Sequence, residues 1–257
     1  MIAAYLKFLY KSKNEHSIHS PFVFELYTKI ILKKEKREEF LVIENLRKDQ
    51  LENDQVIEIQ DFGAGSKLNK GNFRRISEIA KNAEKSPKFG QLLFRLIEYF
   101  QPKTVLDLGT SLGISTLYQE AALTEKAKIY SFEGCPQTAN EASKLFDKAT
   151  NNTIEQIVGN LDQTLKTQLA QLQTVDFVFF DANHRYEPTI RYFTLCLEKA
   201  TEQSVFVFDD IHWSAEMEQA WLQIKQDSRV MITIDLFWVG LVFFRTNQPK
   251  QDFVLRF

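Results

Sequence analysis

VLDLGTSLGIST, residues Val105–Thr116, reads as an apolar strand followed by an acidic residue and a glycine turn. Gly109 and Gly113 are separated by three residues, and glycine lets a backbone approach a ligand closely. Ligand-binding loops in parallel sheets begin in this way, at the carboxyl end of a strand. QDFGAGSKLNKGN, residues Gln60–Asn72, begins in a similar way. The two stretches are therefore competing candidates for one nucleotide-binding loop.

The next acidic residue at a strand end distinguishes the two candidates. The strand-like run KIYSFEG contains Glu133, 26 residues after Asp107. A carboxylate at about this distance can accept hydrogen bonds from both ribose hydroxyls of an adenosine. The stretch that begins at Gln60 is followed by a basic, helical pattern, and no strand ends in an acid at a corresponding distance. The stretch at Val105 is the better loop, although it lacks the G-x-G-x-x-G of dinucleotide-binding folds.

Five apolar runs with helix-length segments between them indicate parallel strands. They are Val105–Leu106, Ile129–Phe132, Ile154–Val158, Phe177–Phe180 and Val205–Phe208. This alternation predicts an α/β fold with a doubly wound, mostly parallel sheet. The last apolar runs, VMITI and GLVFF, are too close together for a parallel crossover. We therefore expect seven strands, the last two of which form a C-terminal antiparallel hairpin.

The residues before this sheet have a mostly helical pattern. Phe22, Leu26 and Ile30 are spaced by four, and the charged run KKEKREE, residues 33–39, fits a solvated helix face. VIEIQ reads as a short strand, and NFRRISEIAKNAEK reads as another helix. These patterns predict two domains, a mainly helical N-terminal extension over residues 1–86 and a ligand-binding domain over residues 87–257.

Composition limits the partners and the compartment. The 257 residues include 32 basic and 34 acidic side chains, so no strong field recruits nucleic acid or an anionic membrane, and a small-molecule partner fits better. Cys135 and Cys196 form no C-x-x-C pair, which argues against a disulfide framework or a zinc ribbon. The sequence shows neither a signal-peptide pattern nor an apolar run of roughly 20 residues. We therefore expect a cytoplasmic protein.

The motifs VLDLGTSLGIST, YSFEG, IVGN, DFVFFDANHRYEP and VFVFDDIHWS together resemble the small-molecule O-methyltransferases of class I, the group of the catechol and caffeoyl-coenzyme A type enzymes. The resemblance covers residues 89–244 and implies S-adenosylmethionine as the cofactor. It places Glu133 on the ribose, Asn160 on the adenine and the glycine turn near the methionine part. The cofactor-binding residues that it implies are Asp107, Gly109, Ser111, Gly113, Glu133, Asn160 and Asp181. The alternative is that these positions are ordinary strand-end turns.

Three carboxylates follow the last two parallel strands. Asp181 ends one run, and Asp209 and Asp210 end the next, so we expect all three to converge at one edge of the sheet. A divalent cation such as Mg²⁺ would neutralise them. In the family, two aspartates and an asparagine hold such a metal, and Asp210 stands where asparagine is usual. Alternatively, Asp209 and Asp210 cap the helix near Ser214, and Asp181 orients a histidine.

His184, in DANHRYEP, is the candidate general base, with Asp181 beside it in the catalytic group. A neutral imidazole can accept a hydroxyl proton near neutral pH. The family often has a lysine at this place, and His184 could instead only cap the nearby turn. His212 is a second candidate base.

The resulting hypothesis is an S-adenosylmethionine-dependent methyltransferase that transfers a methyl group in line to an oxygen of a small molecule. A catalytically inactive cofactor-binding module is the main alternative, and an NAD-dependent oxidoreductase is weakened by the missing dinucleotide motif. Gly63–Gly65, with the basic residues Lys67, Lys70, Arg74 and Arg75, could form a substrate lid, or only a surface turn. The N-terminal helices could also form a homodimer contact.

Overall fold

The computed structural model describes residues 2–60, 72–149 and 154–257, with side chains from Ala4 onward. The chain divides into two compact units. We call Lys34–Leu165 the continuous unit, and Met1–Lys33 together with Lys166–Phe257 the split unit.

The described residues contain ten α-helices. They are α1 (Ile2–Lys11), α2 (Pro21–Leu26), α3 (Glu38–Leu51), α4 (Ile76–Ala83), α5 (Pro87–Phe100), α6 (Ile114–Glu120), α7 (Pro136–Ala149), α8 (Leu161–Gln171), α9 (Tyr186–Leu197) and α10 (Ala215–Gln226). A short 3₁₀ helix, Glu15–Ser17, precedes α2, and a π-helical turn, Tyr27–Ile31, follows it.

Ten strands lie in the same described ranges. They are β1 (Val56–Glu58), β2 (Phe73–Arg75), β3 (Thr104–Leu108), β4 (Lys128–Glu133), β5 (Ile154–Val158), β6 (Val175–Phe180), β7 (Ala200–Asp209), β8 (Ile232–Asp235), β9 (Val239–Phe243) and β10 (Gln251–Val254).

The continuous unit is built on three parallel strands, in which β4 pairs with both β3 and β5. Helices α3, α5, α6 and α7 share one apolar cluster, to which α3 contributes Phe40 and Ile43 and α5 contributes Phe94. Ser86 caps α5 by accepting a hydrogen bond from the Phe89 backbone, and Pro87 occupies the first turn, where its missing N–H costs nothing. Helix α3, from the predicted extension, is therefore part of the core of this unit.

The split unit contains five strands. β6 and β7 pair in parallel, β9 pairs antiparallel with both β7 and β8, and β10 pairs in parallel with β8. The N-terminal segment is tied to the C-terminal strand, since Lys13 N donates to Val254 O at 2.8 Å and Tyr27 Oη donates to Arg256 O at 2.8 Å. The segment before Lys34 therefore packs with residues that follow it by more than two hundred positions.

The predicted parallel runs and the antiparallel hairpin are confirmed, but the strand count is not. Besides the β1–β2 pair, the two units contain eight strands, one more than predicted. The additional strand is β10, which joins the edge of β8 through the register Gln251↔Ile232 to Val254↔Asp235. QDFV is short and polar at its start, so its strand conformation depends on pairing with the edge of β8.

Two local predictions in the N-terminal segment were wrong. Residues 33–37 are not helical, and Arg37 instead forms ion pairs with Glu35 at 3.0 Å and Glu98 at 2.7 Å before α3 begins. Phe73–Arg75, predicted as the start of a helix, forms β2 and pairs antiparallel with β1. In both places a tertiary partner outweighs a local helical preference.

A buried carboxylate in the continuous unit leads to a prediction about pH and stability. The Glu84 side chain is 2% exposed, and Arg47 Nε lies 3.3 Å from its Oε2. That distance alone would favour an ionised pair, but neither Glu84 oxygen nor Arg47 Nε has a hydrogen-bond partner in the described part of the chain. Burial therefore outweighs the charge of Arg47 and, with a smaller contribution from Glu44, raises the pKa of Glu84 to about 8 from 4.5.

A raised folded-state pKa means that stability is greatest below the unfolded-state pKa of 4.5 and is lost as the pH rises through about 8. We expect wild type to lose about 4 kcal/mol more than Glu84→Gln between about pH 5 and about pH 9 in urea unfolding. Glu52→Gln, at an exposed position of the continuous unit, is the control and should follow wild type. Equal pH dependence of wild type and Glu84→Gln would contradict this assignment.

Candidate functional site

The turn after β3 is organised by Asp107, whose side chain is fully buried. Its carboxylate accepts hydrogen bonds from Thr116 Oγ1 at 2.5 Å, Ser131 Oγ at 2.8 Å and Gln119 Nε2 at 3.1 Å. Burial raises the pKa of Asp107, and the three donors oppose that shift. Since these donors come from α6 and β4, the carboxylate ties both elements to the turn.

The glycine turn has the backbone shape that its sequence predicts. Gly109 and Gly113 have φ of 116° and 93°, and Ser111 between them has φ of 50°. A Cβ atom at Gly113 would lie 2.7 Å from the Phe146 ring, so no larger residue fits there without displacement. The backbone therefore makes a tight turn directly before α6.

Glu133 lies against this turn at the end of β4. Its Oε2 accepts a hydrogen bond from Ser111 N at 2.8 Å, and its Oε1 accepts one from Cys135 N at 2.9 Å. Burial raises the pKa of the Glu133 carboxyl above its ordinary value, while backbone amides including those of Cys135 and Ser111 lower it. The result is a carboxylate held in a single orientation beside the glycine turn.

Asn160 follows β5, as predicted. The preceding Gly159 has φ of 138°, and its N–H donates to Glu133 O at 2.9 Å, which joins the ends of β4 and β5. Asn160 Oδ1 accepts a hydrogen bond from Asp162 N at 2.9 Å at the start of α8. The continuous unit thus brings together the predicted residues Asp107, Gly109, Ser111, Gly113, Glu133 and Asn160.

Sequence reasoning missed the support that α3, β1 and α4 provide to this turn. Gln50 Nε2 donates to Leu112 O at 3.0 Å across 62 residues of sequence, and Leu112 is fully buried in a cluster with Ile57 and Ile76. No local pattern identifies a contact of this kind, because it depends only on how the helices pack.

The second group of predicted residues lies in the split unit. Asp181, His184 and Asp209 each place one potential metal-ligand atom within 4.8 Å of the other two. Within the described ranges, these three side chains form the cluster that could hold a metal ion. His184 Nε2 is 3.4 Å from Asp181 Oδ1. Asn183 and His184 have φ of 69° and 33°, so a tight left-handed turn returns the imidazole to the aspartate. A buried carboxylate, a half-buried carboxylate and an imidazole can hold a divalent cation.

Asp210 does not belong to this three-residue group. Its φ is 54°, its N–H donates to Trp238 O at 2.7 Å, and its carbonyl accepts from Trp213 N at 2.9 Å. Ser214 Oγ accepts the capping hydrogen bond from Met217 N, so the side chain that caps α10 is that of Ser214. The alternative that Asp181 orients a histidine agrees with the Asp181–His184 distance.

His212, the second candidate base, is held by carboxylates on both ring nitrogens. Nε2 lies 2.8 Å from Asp235 Oδ2, and Nδ1 lies 3.3 Å from Glu218 Oε1. Burial alone would lower the pKa of His212, but hydrogen bonds and charges from Asp235 and Glu218 outweigh it and raise the pKa. Since the ring also stacks on Phe237 with centroids 5.2 Å apart, His212 is better suited to support the loop than to accept a proton.

Part of the predicted lid lies outside the described residues, namely Gly63–Gly65, Lys67 and Lys70. Arg74 and Arg75 are described and belong to β2, where Arg75 lies 3.9 Å from Asp54.

Comparison with known proteins identifies the class. Residues 106–211 match a family model described as a methyltransferase domain. An O-methyltransferase of Bacillus cereus, solved in complex with SAH, is 16% identical with a TM-score of 0.57 and covers 86% of this chain and 97% of its own. An SAH-bound methyltransferase of Podospora anserina is 13% identical with a TM-score of 0.61 and covers 88% of this chain and 97% of its own. Residues 106–211 therefore resemble a methyltransferase domain, the chain has the class I methyltransferase fold, and the resemblance seen in the motifs is confirmed.

Curated relatives match over shorter regions. A transmembrane O-methyltransferase of Homo sapiens is 39% identical over 97 residues, which are 36% of this chain and 33% of that protein. A catechol O-methyltransferase of Niastella koreensis is 29% identical over 128 residues, 49% of this chain and 57% of that protein. The chain thus spans between a third and somewhat over half of the length of these relatives. Among the helices in its described part, none is both long and apolar enough to cross a membrane.

Proposed function

We propose that this protein is an S-adenosylmethionine-dependent methyltransferase that methylates an oxygen of a small molecule. The observation that carries the proposal is the Glu133 carboxylate, fixed by two backbone N–H groups beside the glycine turn. A carboxylate at the end of the second parallel strand can accept both ribose hydroxyls of an adenosine. The matched methyltransferase domain, which contains both Glu133 and the turn, supports this proposal.

Within this proposal, the residues of the continuous unit bind the cofactor. Gly109, Ser111 and Gly113 present backbone to its methionine part, Glu133 accepts from the ribose, and Asn160 contacts the adenine. Asp107 acts differently, because its carboxylate is buried and bonded to three side chains. We assign it the positioning of the glycine turn.

We assign binding of the substrate that accepts the methyl group to Asp181, His184 and Asp209 in the split unit. Asp181 also remains a predicted contact of the cofactor. The donor set of two carboxylates and an imidazole fits a divalent cation. When bound, such a cation acts as a Lewis acid and lowers the pKa of a substrate hydroxyl. Asp181, 3.4 Å from His184 Nε2, can alternatively orient the imidazole as a general base. Alignment of the hydroxyl oxygen with the sulfonium methyl group would lower the activation barrier further.

Calorimetric titration with S-adenosylmethionine and, separately, with NAD tests the cofactor. We expect binding of the former at about micromolar Kd and no binding of NAD. Incubation with methyl-labelled S-adenosylmethionine and a panel of catechols then tests transfer, with label expected in the extracted small molecules. Binding without transfer across hydroxylated acceptors would favour the inactive cofactor-binding module. Binding of NAD alone would overturn the proposal.

Gln50 provides a test of the support beneath the glycine turn. Replacing Gln50 by leucine removes the hydrogen bond to Leu112 O, and we expect a loss of about tenfold in cofactor affinity. Stability should change little, because the buried Gln50 Oε1 has no partner in the described structure and leucine removes that cost too. Titration and thermal unfolding separate the two effects. Gln55→Leu, at an exposed position, is the matched control, and equal affinities of both variants would contradict the role of Gln50.

Further predictions concern the wider setting. The free, buried thiols of Cys135 and Cys196 support a reducing, cytoplasmic location. The division at residue 86, a substrate lid that includes Arg74 and Arg75, and a homodimer contact through the N-terminal helices also stay predictions.

A further inference from the structure

The three side chains at the ends of β6 and β7 differ from the set that the sequence suggests. Asp181 and Asp209 are present, but the third member is His184 and not Asp210. His184 follows Asp181 by three residues, and the left-handed backbone at Asn183 and His184 returns its ring to the carboxylate. Asp210, by contrast, has its backbone bonded to Trp238 and Trp213.

The spacing fits coordination. Two ligands, each about 2.1 Å from a cation in a tetrahedral arrangement, lie about 3.4 Å apart. His184 Nε2 and Asp181 Oδ1 are separated by 3.4 Å, and Asp209 is buried at 2% exposure beside them. A ligand atom of Asp209 lies within 4.8 Å of the other two, so Asp209 would supply a third protein ligand and leave one position to water or a substrate oxygen.

From this geometry we infer that Asp181, Asp209 and His184 form a metal site with an imidazole ligand, selective for Mn²⁺, Co²⁺ or Zn²⁺ over Mg²⁺. Divalent ions of the first transition row accept an imidazole nitrogen as a ligand, whereas Mg²⁺ prefers an all-oxygen shell. The inference deepens the proposed function at the same site, because a ligated His184 cannot also be the general base. It implies that proton removal from the substrate depends on the metal and not on this histidine.

The test uses the whole chain, freed of metal by a chelator and titrated with Mn²⁺, Co²⁺, Zn²⁺ and Mg²⁺ in the absence of cofactor and substrate. We expect wild type to bind Mn²⁺ at least about tenfold more tightly than Mg²⁺. Nitrogen modulation in the pulsed electron paramagnetic resonance of bound Mn²⁺ reports the imidazole directly. His184→Ala should weaken Mn²⁺ about 100-fold and remove that modulation, while Asp210→Ala and the exposed His16→Ala should change neither.

His184→Asp keeps the inference falsifiable if His184→Ala folds poorly, because three carboxylates should shift the preference toward Mg²⁺. Unchanged Mn²⁺ affinity in His184→Ala, an equal loss in Asp210→Ala, or wild-type Mn²⁺ binding without nitrogen modulation would overturn the inference. Since metal binding is measured without S-adenosylmethionine, failure here is distinct from failure of the proposed methyl transfer.

Discussion

Replacing Glu133 by alanine should raise the Kd for S-adenosylmethionine by about 100-fold or more. The carboxylate would accept two ribose hydroxyls, and hydrogen bonds to a charged group contribute about 1.5 to 3 kcal/mol each. Ser111 N and Cys135 N already hold both oxygens in place, so the carboxylate needs no reorganisation when the ribose arrives. Calorimetric titration measures the effect.

Two variants serve as comparisons for Glu133→Ala. Glu133→Gln should also bind weakly, because an amide NH₂ would face one of the two backbone N–H groups that donate to the carboxylate. Glu125→Ala removes an exposed acid from the same unit and should bind like wild type. If Glu133→Ala retained wild-type affinity, Glu133 would not contact the ribose, and the assignment of the glycine turn would lose its main support.

Asp107→Ala should reduce the free energy of unfolding by about 4 kcal/mol. Three buried donors, on Thr116, Gln119 and Ser131, would lose their shared acceptor, and each unsatisfied group costs about 1 to 3 kcal/mol. Part of this loss is offset, because the variant no longer has to bury a carboxyl group. That burial is unfavourable for the charged form, which is why it raises the pKa of Asp107. Urea unfolding followed by circular dichroism measures the difference.

Asp107→Asn should cost less than Asp107→Ala, since the amide keeps one acceptor and the volume of the side chain. Asp147→Ala, at an exposed position of α7, controls for the loss of a negative charge and should be nearly neutral. A loss below about 1 kcal/mol in Asp107→Ala would show that the buried network contributes little to the fold.

Much of the fold could be predicted, because strands buried on both faces are apolar along their whole length. VDFVFF and SVFVF are clear signals of that kind, and the short distance between VMITI and GLVFF excludes a parallel connection. β2 and β10 could not be predicted. FRR precedes a helical pattern and QDFV begins with polar residues, and both become strands because an unpaired strand edge receives them.

The candidate site divides in the same way. Glu133 and the glycine turn could be predicted, because residue type and the spacing between successive strand ends are read directly from the sequence. The three-residue group contains His184 in place of the predicted Asp210, and this depends on the left-handed backbone at both residues. The type of a non-glycine residue does not reveal whether its φ is positive.

The amino-acid sequence by itself determined the five parallel strands and the helical segments between them, the antiparallel ending, the turn at Gly109 and Gly113, and the acid at Glu133. These features depend on periodicity, glycine and spacing, all of which act over a few residues. Only the tertiary structure decided that Gln50 supports Leu112, that Asp107 is an internal hub, and that His184 joins Asp181 and Asp209. These contacts depend on how distant segments pack and on local backbone geometry. No short stretch of sequence determines either of them.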